Sequence, residues 1–444
     1  MPLNAAVSVY QKGAPRQHGA MEFSQPPVDL DAVRLYRLER VRAELRARDI
    51  AAILLFDQVN TRYATDATNM QIWCSHYETR CVFIAAEGPV VLFDYADLPH
   101  LAEGLPTIDE YRVMPSFYYF AAAQNGEDVA REFAAQLADL MRVHGHGNRR
   151  LAVDRLSHLG IDAIRAQGLE VVEGQEVTEH ARAIKNDAEL TLMMKAIEVC
   201  QAGMTAMREK LEPGITENAL WAKLHETNIA LGGEWIETRL LSSGPRTNPW
   251  FRECSMRVIE AGDMVSFDTD LIGPYGYCSD ISRSWRCGEG RPDDTQRTLY
   301  AAAHDQLQHN MALLKPGVTF REYSEKAWPI PDEYLSARYP SLIHGVGLAD
   351  EYPALKHIQD FAAQGSDGML EAGMTLCVES LHRQRRRPRG RQARGTGSDH
   401  ARGLALFIVL SARGKLALRR IRRSPGVRRW RRRRRRCRGA AAST

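Results

Sequence analysis

VSFDTDLIGPYGYCSDISR, residues 265–283, carries three carboxylates in an otherwise apolar run. Asp268 and Asp270 stand two apart, and a strand places residues i and i+2 on one face, so a strand here aims both the same way. Asp280 follows the turn-forming Gly273-Pro274-Tyr275-Gly276, on what reads as the returning strand of a hairpin. Three carboxylates converging in an apolar sheet cannot all stay charged and unpaired. Partial burial beside like charges is costly unless protons or a cation neutralise them, and a divalent metal meets that need. An acidic loop facing water is the plain alternative.

Downstream, His344-Gly345-Val346-Gly347-Leu348 sets an imidazole beside two glycines, and Glu379 closes the apolar run 374–378. A lone His or Glu is more often structural, but an internal repeat joins them to the hairpin. Leu211-Glu212-Pro213-Gly214-Ile215-Thr216 is echoed by Leu314-Lys315-Pro316-Gly317-Val318-Thr319, and Glu260-Ala261-Gly262-Asp263-Met264 by Glu371-Ala372-Gly373-Met374. The same landmarks in the same order describe a duplicated half-domain. Each half delivers a carboxylate at the end of a comparable strand, Asp268 in one and Glu379 in the other, which points to a site shared by the halves.

A chain of 444 residues exceeds one ordinary core and suggests two domains. No run is long and apolar enough to span a bilayer and the start lacks a signal pattern, which predicts a cytoplasmic protein with no membrane partner. The eight cysteines lack C-x-x-C spacing and read as reduced thiols, not a disulfide or zinc framework. Residues 1–28 form an aperiodic arm. Residues 29–177 alternate apolar runs with helical spacing, such as Val33, Leu35, Leu38, Val41 and Leu45, and predict a smaller α/β domain. Residues 178–209 read as one long helix opening the second domain, 178–380, which also holds the hairpin. The fold class is α+β. Trp73 reads as core.

The order Asp268, Asp270, Asp280, His344, Glu379, behind a smaller α/β domain, resembles the creatinase and Xaa-Pro aminopeptidase superfamily (metallopeptidase family M24), whose catalytic domain is called the pita-bread fold. Within it the chain is similar to the dimethylsulfoniopropionate lyases, through NTRYATDATNMQIW (60–73), GGEWIETRLLSSGPRTNPWF (232–251), SFDTDLIGPYGYCSDISRSW (266–285) and HGVGLADEYP (344–353). The resemblance spans about residues 30 to 380. It implies a creatinase-like N-terminal domain, those five residues as metal ligands, iron as the metal and a homodimer. Ligand chemistry alone accepts manganese, iron or zinc.

Peptidases of the superfamily are expected to place a histidine shortly after a Ser-Gly pair, where this chain has Pro249-Trp250-Phe251 after Ser243-Gly244. They also carry a second histidine before a glutamate after the His-Gly-x-Gly-Leu segment, where this chain has Asp350 before Glu351. A carboxylate there suits removal of a proton from carbon, so the small-molecule reading is β-elimination, with Asp350 as general base and dimethyl sulfide and acrylate as products. A Xaa-Pro aminopeptidase or prolidase-like hydrolase is the alternative. Tyr339 matches a family active-site tyrosine, and Trp73 and Trp250 could face the sulfonium.

Residues 381–444 carry 23 Lys and Arg against one acid, Asp399, whereas residues 1–380 hold 36 basic and 54 acidic residues. A genuine tail with the run Arg431–Arg436 would bind nucleic acid or an anionic surface, giving an inactive basic protein as a further alternative. The composition changes just after Glu379, where the resemblance calls for a closing sheet and one more bridging glutamate, and Arg394 stands at that ligand's position. The tail therefore reads as out of frame, with the closing sheet disrupted and metal binding and activity impaired.

Overall fold

The computed structural model describes residues 23–383, 400–402 and 406–409. Arg394, the run 431–436 and most of the expected N-terminal arm lie outside them. Two compact units emerge. One comprises residues 28–189 with 344–354, and the other comprises 190–343 with 355 onward and the residues up to 27.

In the first unit, α1 (Leu30–Ala47) starts at Asp29, whose side chain accepts from the backbone N–H groups of Asp31 and Ala32. Val33, Leu38, Val41 and Leu45 of the helical spacing are buried, while Leu35 is 48% exposed. The strands are β1 (Ala52–Leu55), β2 (Cys81–Ala85), β3 (Val90–Asp94), β4 (Glu110–Val113), β5 (Arg150–Val153) and β6 (Glu170–Glu173), in the sheet order β4-β3-β2-β1-β5-β6. Strand β1 runs antiparallel to β2 and parallel to β5. Its four residues are all buried, as an unbroken apolar run requires when both faces are covered. The helices are α2 (Gln58–Thr65), α3 (Gln71–Cys74), α4 (Tyr119–Ala122), α5 (Gly126–His144), α6 (His158–Ala166) and α7 (Gln175–Ala183). Phe133 of α5 meets the rings of Phe56, Phe93 and Phe117 at centroid distances of 5.5–6.1 Å.

The single helix expected over 178–209 is two. Helix α7 ends at Ala183, Ile184 is extended, and α8 (Asp187–Lys210) begins afresh. Asn186 caps the new start: its Oδ1 accepts from the Glu189 N–H at 2.9 Å and its own N–H reaches Glu189 Oε2 at 3.3 Å. This reciprocal pair ends the helical run where apolar spacing alone carries on.

The remaining helices and strands are α9 (Glu217–Ala230), β7 (Leu241–Ser243), β8 (Met264–Phe267), β9 (Leu271–Ile272), β10 (Cys278–Ser279), β11 (Arg283–Arg286), α10 (Asp294–Ala312), α11 (Phe320–Lys326), α12 (Asp332–Leu335), β12 (Ile343–Val346), β13 (Asp350–Leu355), α13 (Ile358–Gln364), β14 (Thr375–Val378), β15 (Leu381–Arg383), β16 (His400–Arg402) and β17 (Leu406–Val409). In the second unit the sequence repeat is a repeat in space. Gly214 and Gly317 both have positive φ, at 100° and 87°. The Gly214 N–H donates to Ile259 O and the Gly317 N–H to Leu370 O, while the return bonds run from Ile259 to Ile215 O and from Leu370 to Val318 O. Thr216 and Thr319 then cap α9 and α11. Glycine is needed at both turns because a Cβ disfavours that φ. The two halves lead into β8 and β14, which end just before Asp268 and Glu379.

Glu217, the first residue of α9, is fully buried and gathers the loop after β7. Its Oε1 accepts from Ser243 N and Oγ, and its Oε2 from Ser255 N and Oγ and from Arg246. Removing the carboxylate strands buried donors and one guanidinium. Glu217→Ala is expected to cost about 3–5 kcal/mol in urea unfolding, and a loss below about 1 kcal/mol would show that the loop does not depend on it.

The closing sheet is reduced to short pieces among the described residues. Strand β14 pairs antiparallel with β17 from Thr375↔Val409 to Val378↔Leu406, and β15 pairs with β16. Leu406-Phe407-Ile408-Val409 is a stretch of the basic tail with strand composition, which accounts for the pairing. The seven described cysteines are buried and form no disulfide with one another, and no described helix is long and apolar enough to cross a membrane.

Candidate metal centre

Asp268, Asp270 and Asp280 each offer a carboxylate oxygen, and these oxygens lie within 4.8 Å of one another. The route to this arrangement differs from the expected one. Asp268 and Asp270 do not share a continuous strand, since β8 stops at Phe267, β9 starts at Leu271, and Asp270 has a φ of 36°. The turn is tied by the buried Thr269, whose hydroxyl donates to Ser279 O at 2.7 Å and accepts from the Ile281 N–H at 2.9 Å. That bond pair stitches the outgoing chain to the returning one beside Asp280. Hairpin pairing of Ile272 with Cys278 and of Leu271 with Ser279 completes the frame.

Asp268 and Asp280 are buried, and Asp270 is half-buried with its Oδ2 accepting from Thr238 Oγ1 at 2.8 Å. Three buried or half-buried carboxylates at this spacing form a hard, all-oxygen donor set, which fits a divalent cation and disfavours three bare charges. Thr238 was not singled out in the sequence. Its only signal is a position in the run 234–238, which lies along 270–272 through the bonds Glu237 N to Asp270 O and Ile272 N to Trp235 O.

Glu379 is buried, and its N–H donates to Leu342 O at 3.0 Å. It is not part of the close aspartate group. His344 and Asp350 belong to the first unit. There the His344 Nδ1 lies 3.0 Å from Gly345 O and 3.7 Å from Asp350 Oδ1, and the Asp350 side chain is 58% exposed. Trp73, read as core, is instead half-buried against the rings of Tyr95 and Tyr77, at 5.4 and 5.8 Å. In the second unit Trp250 is buried beside the half-exposed Phe251, whose ring lies 5.9 Å from Tyr339.

His357 holds Tyr339 from behind: its Nε2 lies 2.9 Å from the Tyr339 carbonyl. Burial lowers its pKa from the ordinary 6.5 to about 4, the carbonyl contact opposing this in part. His382, packed on Tyr334 and Gln306, is likewise lowered to about 4 by burial. Both pKa values are lower folded than unfolded, so the unfolded chain binds more protons between those limits. The stability they contribute is full above about pH 6.5 and is lost as pH falls toward 4, by about 3 kcal/mol for each histidine. Urea midpoints measured at pH 7 and pH 4.5 should therefore separate clearly, and His357→Gln should narrow the gap. An unchanged gap would remove His357 as a source of acid lability.

The sequence pattern of metallopeptidase family M24 matches residues 191–397, and that of the creatinase/prolidase N-terminal domain matches residues 37–184. Among solved structures, the Xaa-Pro dipeptidase from Bacillus anthracis superposes with a TM-score of 0.65 at 22% identity, covering 88% of this chain and 98% of that one, a likeness of fold. Dimethylsulfoniopropionate lyase DddP of Roseovarius nubinhibens is 44% identical over 79% of this chain and 80% of its own length. The protein of the same name from Roseobacter denitrificans is 43% identical over 80% of each. The chain belongs to metallopeptidase family M24, with a creatinase/prolidase N-terminal domain ahead of a pita-bread domain. Within that family it is a close homologue of the DddP proteins.

Proposed function

We propose that this chain is a metal-dependent carbon–sulfur lyase that splits dimethylsulfoniopropionate into dimethyl sulfide and acrylate. The observation that carries the reading is 44% identity over about four-fifths of both chains to a protein of that name. A base takes a proton from the carbon beside the substrate carboxylate, the freed pair forms the double bond of acrylate, and the C–S bond breaks to release dimethyl sulfide. Asp350 is that base: its side chain is 58% exposed, a carboxylate can accept the proton, and the proton passes on to water.

Asp268, Asp270, Asp280, His344 and Glu379 are the residues that would hold a divalent cation, iron in this reading, with manganese and zinc as the other candidates. Such a cation supplies Lewis-acid attraction for a carboxylate and makes the neighbouring C–H more acidic. Trp250 and Trp73 offer ring faces to the sulfonium, an attraction of about 0.5–2 kcal/mol each. Tyr339, braced by Phe251 and His357, orients the substrate. The working form in this reading is a cytoplasmic homodimer.

The basic tail is part of the same proposal. We take it as translated out of frame, so that a bridging glutamate belongs where Arg394 stands. Headspace measurement of dimethyl sulfide from dimethylsulfoniopropionate, beside hydrolysis of a Xaa-Pro peptide, tests the reading. Peptide cleavage without dimethyl sulfide would move the chain to the prolidases.

A further inference from the structure

We infer that Glu351, gripped by Arg182 and Lys185, is a positioning residue: its buried carboxylate fixes the segment 344–350 that carries His344 and Asp350. The inference rests on the lyase reading for the roles of those two residues, and on the first unit alone for its geometry.

Asp350 and Glu351 are neighbours on β13, and a strand sends successive side chains to opposite faces. Asp350 is 58% exposed, whereas the Glu351 side chain is fully buried. On that inner side the Lys185 ammonium bonds Oε1 of Glu351, and Arg182 Nε donates to Oε2 at 3.1 Å. Both cations are themselves buried, with side chains 2% and 5% exposed. Arg182 also reaches Asn60 Oδ1 and Glu179 Oε1. Asn60 in turn donates to Asp154 Oδ2 at 2.9 Å, and Glu179 Oε2 accepts from the Tyr352 N–H at 2.7 Å. One buried network thus ties α2, α7 and the tip of β5 to the Glu351 side chain and to the Tyr352 N–H that follows it.

The segment above has no slack. A Cβ on Gly347 would sit 2.6 Å from Glu351 Oε1, and one on Gly345 would sit 2.3 Å from Tyr352 O, so the backbone passes directly over the carboxylate and only glycine fits. The Gly347 N–H donates to Ala349 O at 2.9 Å, closing the turn on that support. A carboxylate between two buried cations is not the cheapest way to fill this space, since apolar groups of equal volume are often as stable. What the cluster adds is a fixed height and direction for the turn, and catalysis is sensitive to displacements of about 1 Å.

The test uses the frame-restored chain loaded with iron for kcat and KM, and the same protein for hydrogen exchange. Glu351→Gln leaves two cations facing one neutral amide, and Glu351→Gln with Lys185→Gln restores the charge balance without restoring the clamp. Positioning predicts that Glu351→Gln lowers kcat roughly 10²-fold with little change in KM, and speeds hydrogen exchange in peptides covering 344–350. It also predicts that the double variant recovers melting temperature but not kcat or exchange protection. If kcat and protection return with stability in the double variant, Glu351 serves stability only and the inference fails. If Glu351→Gln does not fold, Glu351→Asp, which keeps the charge but withdraws it by one methylene, decides by the same two readouts. A frame-restored parent that binds metal but releases no dimethyl sulfide contradicts the lyase reading instead, and the exchange result still tests the clamp on its own.

Discussion

In the frame-restored chain, Asp350→Asn lowers kcat for dimethyl sulfide release by about 10²–10⁴-fold, the range spanned by loss of a general base, while bound metal stays near the level of its parent. The asparagine keeps the shape of the side chain and its exposure beside His344, but its amide cannot take a proton from carbon. Asp350 is exposed where the neighbouring Glu351 is sealed between cations, so of the two carboxylates only Asp350 is open to exchange protons with substrate and water. Single-turnover release by Asp350→Asn against its frame-restored parent measures the effect on the chemical step. A variant that keeps more than about a tenth of the parent rate would hand the base role to another group.

The second large effect lies in the gene. An arginine codon CGN read one base later becomes GNN, which encodes Val, Ala, Asp, Glu or Gly. A run of such codons therefore turns from a dense positive charge into small apolar and acidic residues, the composition expected of a closing sheet with carboxylate ligands. Arg394 is followed by Gly395, so the shifted codon there reads G-N-G and can encode only Val, Ala, Gly or Glu. Glutamate is on that short list. Shifting the frame just after Ser380 is expected to raise metal content from trace to stoichiometric, with dimethyl sulfide release rising in step. A guanidinium beside cations opposes binding, whereas a carboxylate completes the donor set. Resequencing across these codons and assaying both proteins side by side gives the answer. A confirmed frame, with equal metal in both proteins, would make the tail a genuine part of the molecule.

Much of the fold could be read from residues because the informative ones are local. The repeated Pro-Gly-x-Thr and Glu-Ala-Gly landmarks each encode a turn, a cap and a strand entry, and both copies form the same bonds. The break between α7 and α8 was missed because apolar spacing runs through it, and only the reciprocal Asn186–Glu189 cap interrupts the chain. The three aspartates were found from their spacing, yet their convergence does not come from a shared strand face. It comes from the kink at Asp270 and the hydroxyl of Thr269, which pattern reasoning does not weigh. Thr238, Glu217, His357 and the Glu351 clamp stayed hidden because each acts through partners distant in sequence. Composition showed that the tail differs from the rest of the chain, but not that Leu406–Val409 pairs with β14.

The most direct test of the account is metal-dependent lyase activity in the frame-corrected protein. It should be stripped with a chelator, reloaded separately with iron, manganese and zinc, and assayed for dimethyl sulfide and acrylate in equal amounts. No product is expected from the stripped protein, with recovery on reloading highest for iron among the three and loss of both metal and product in Asp268→Ala. Equal product from stripped and reloaded protein, or stoichiometric metal with no product, would contradict it.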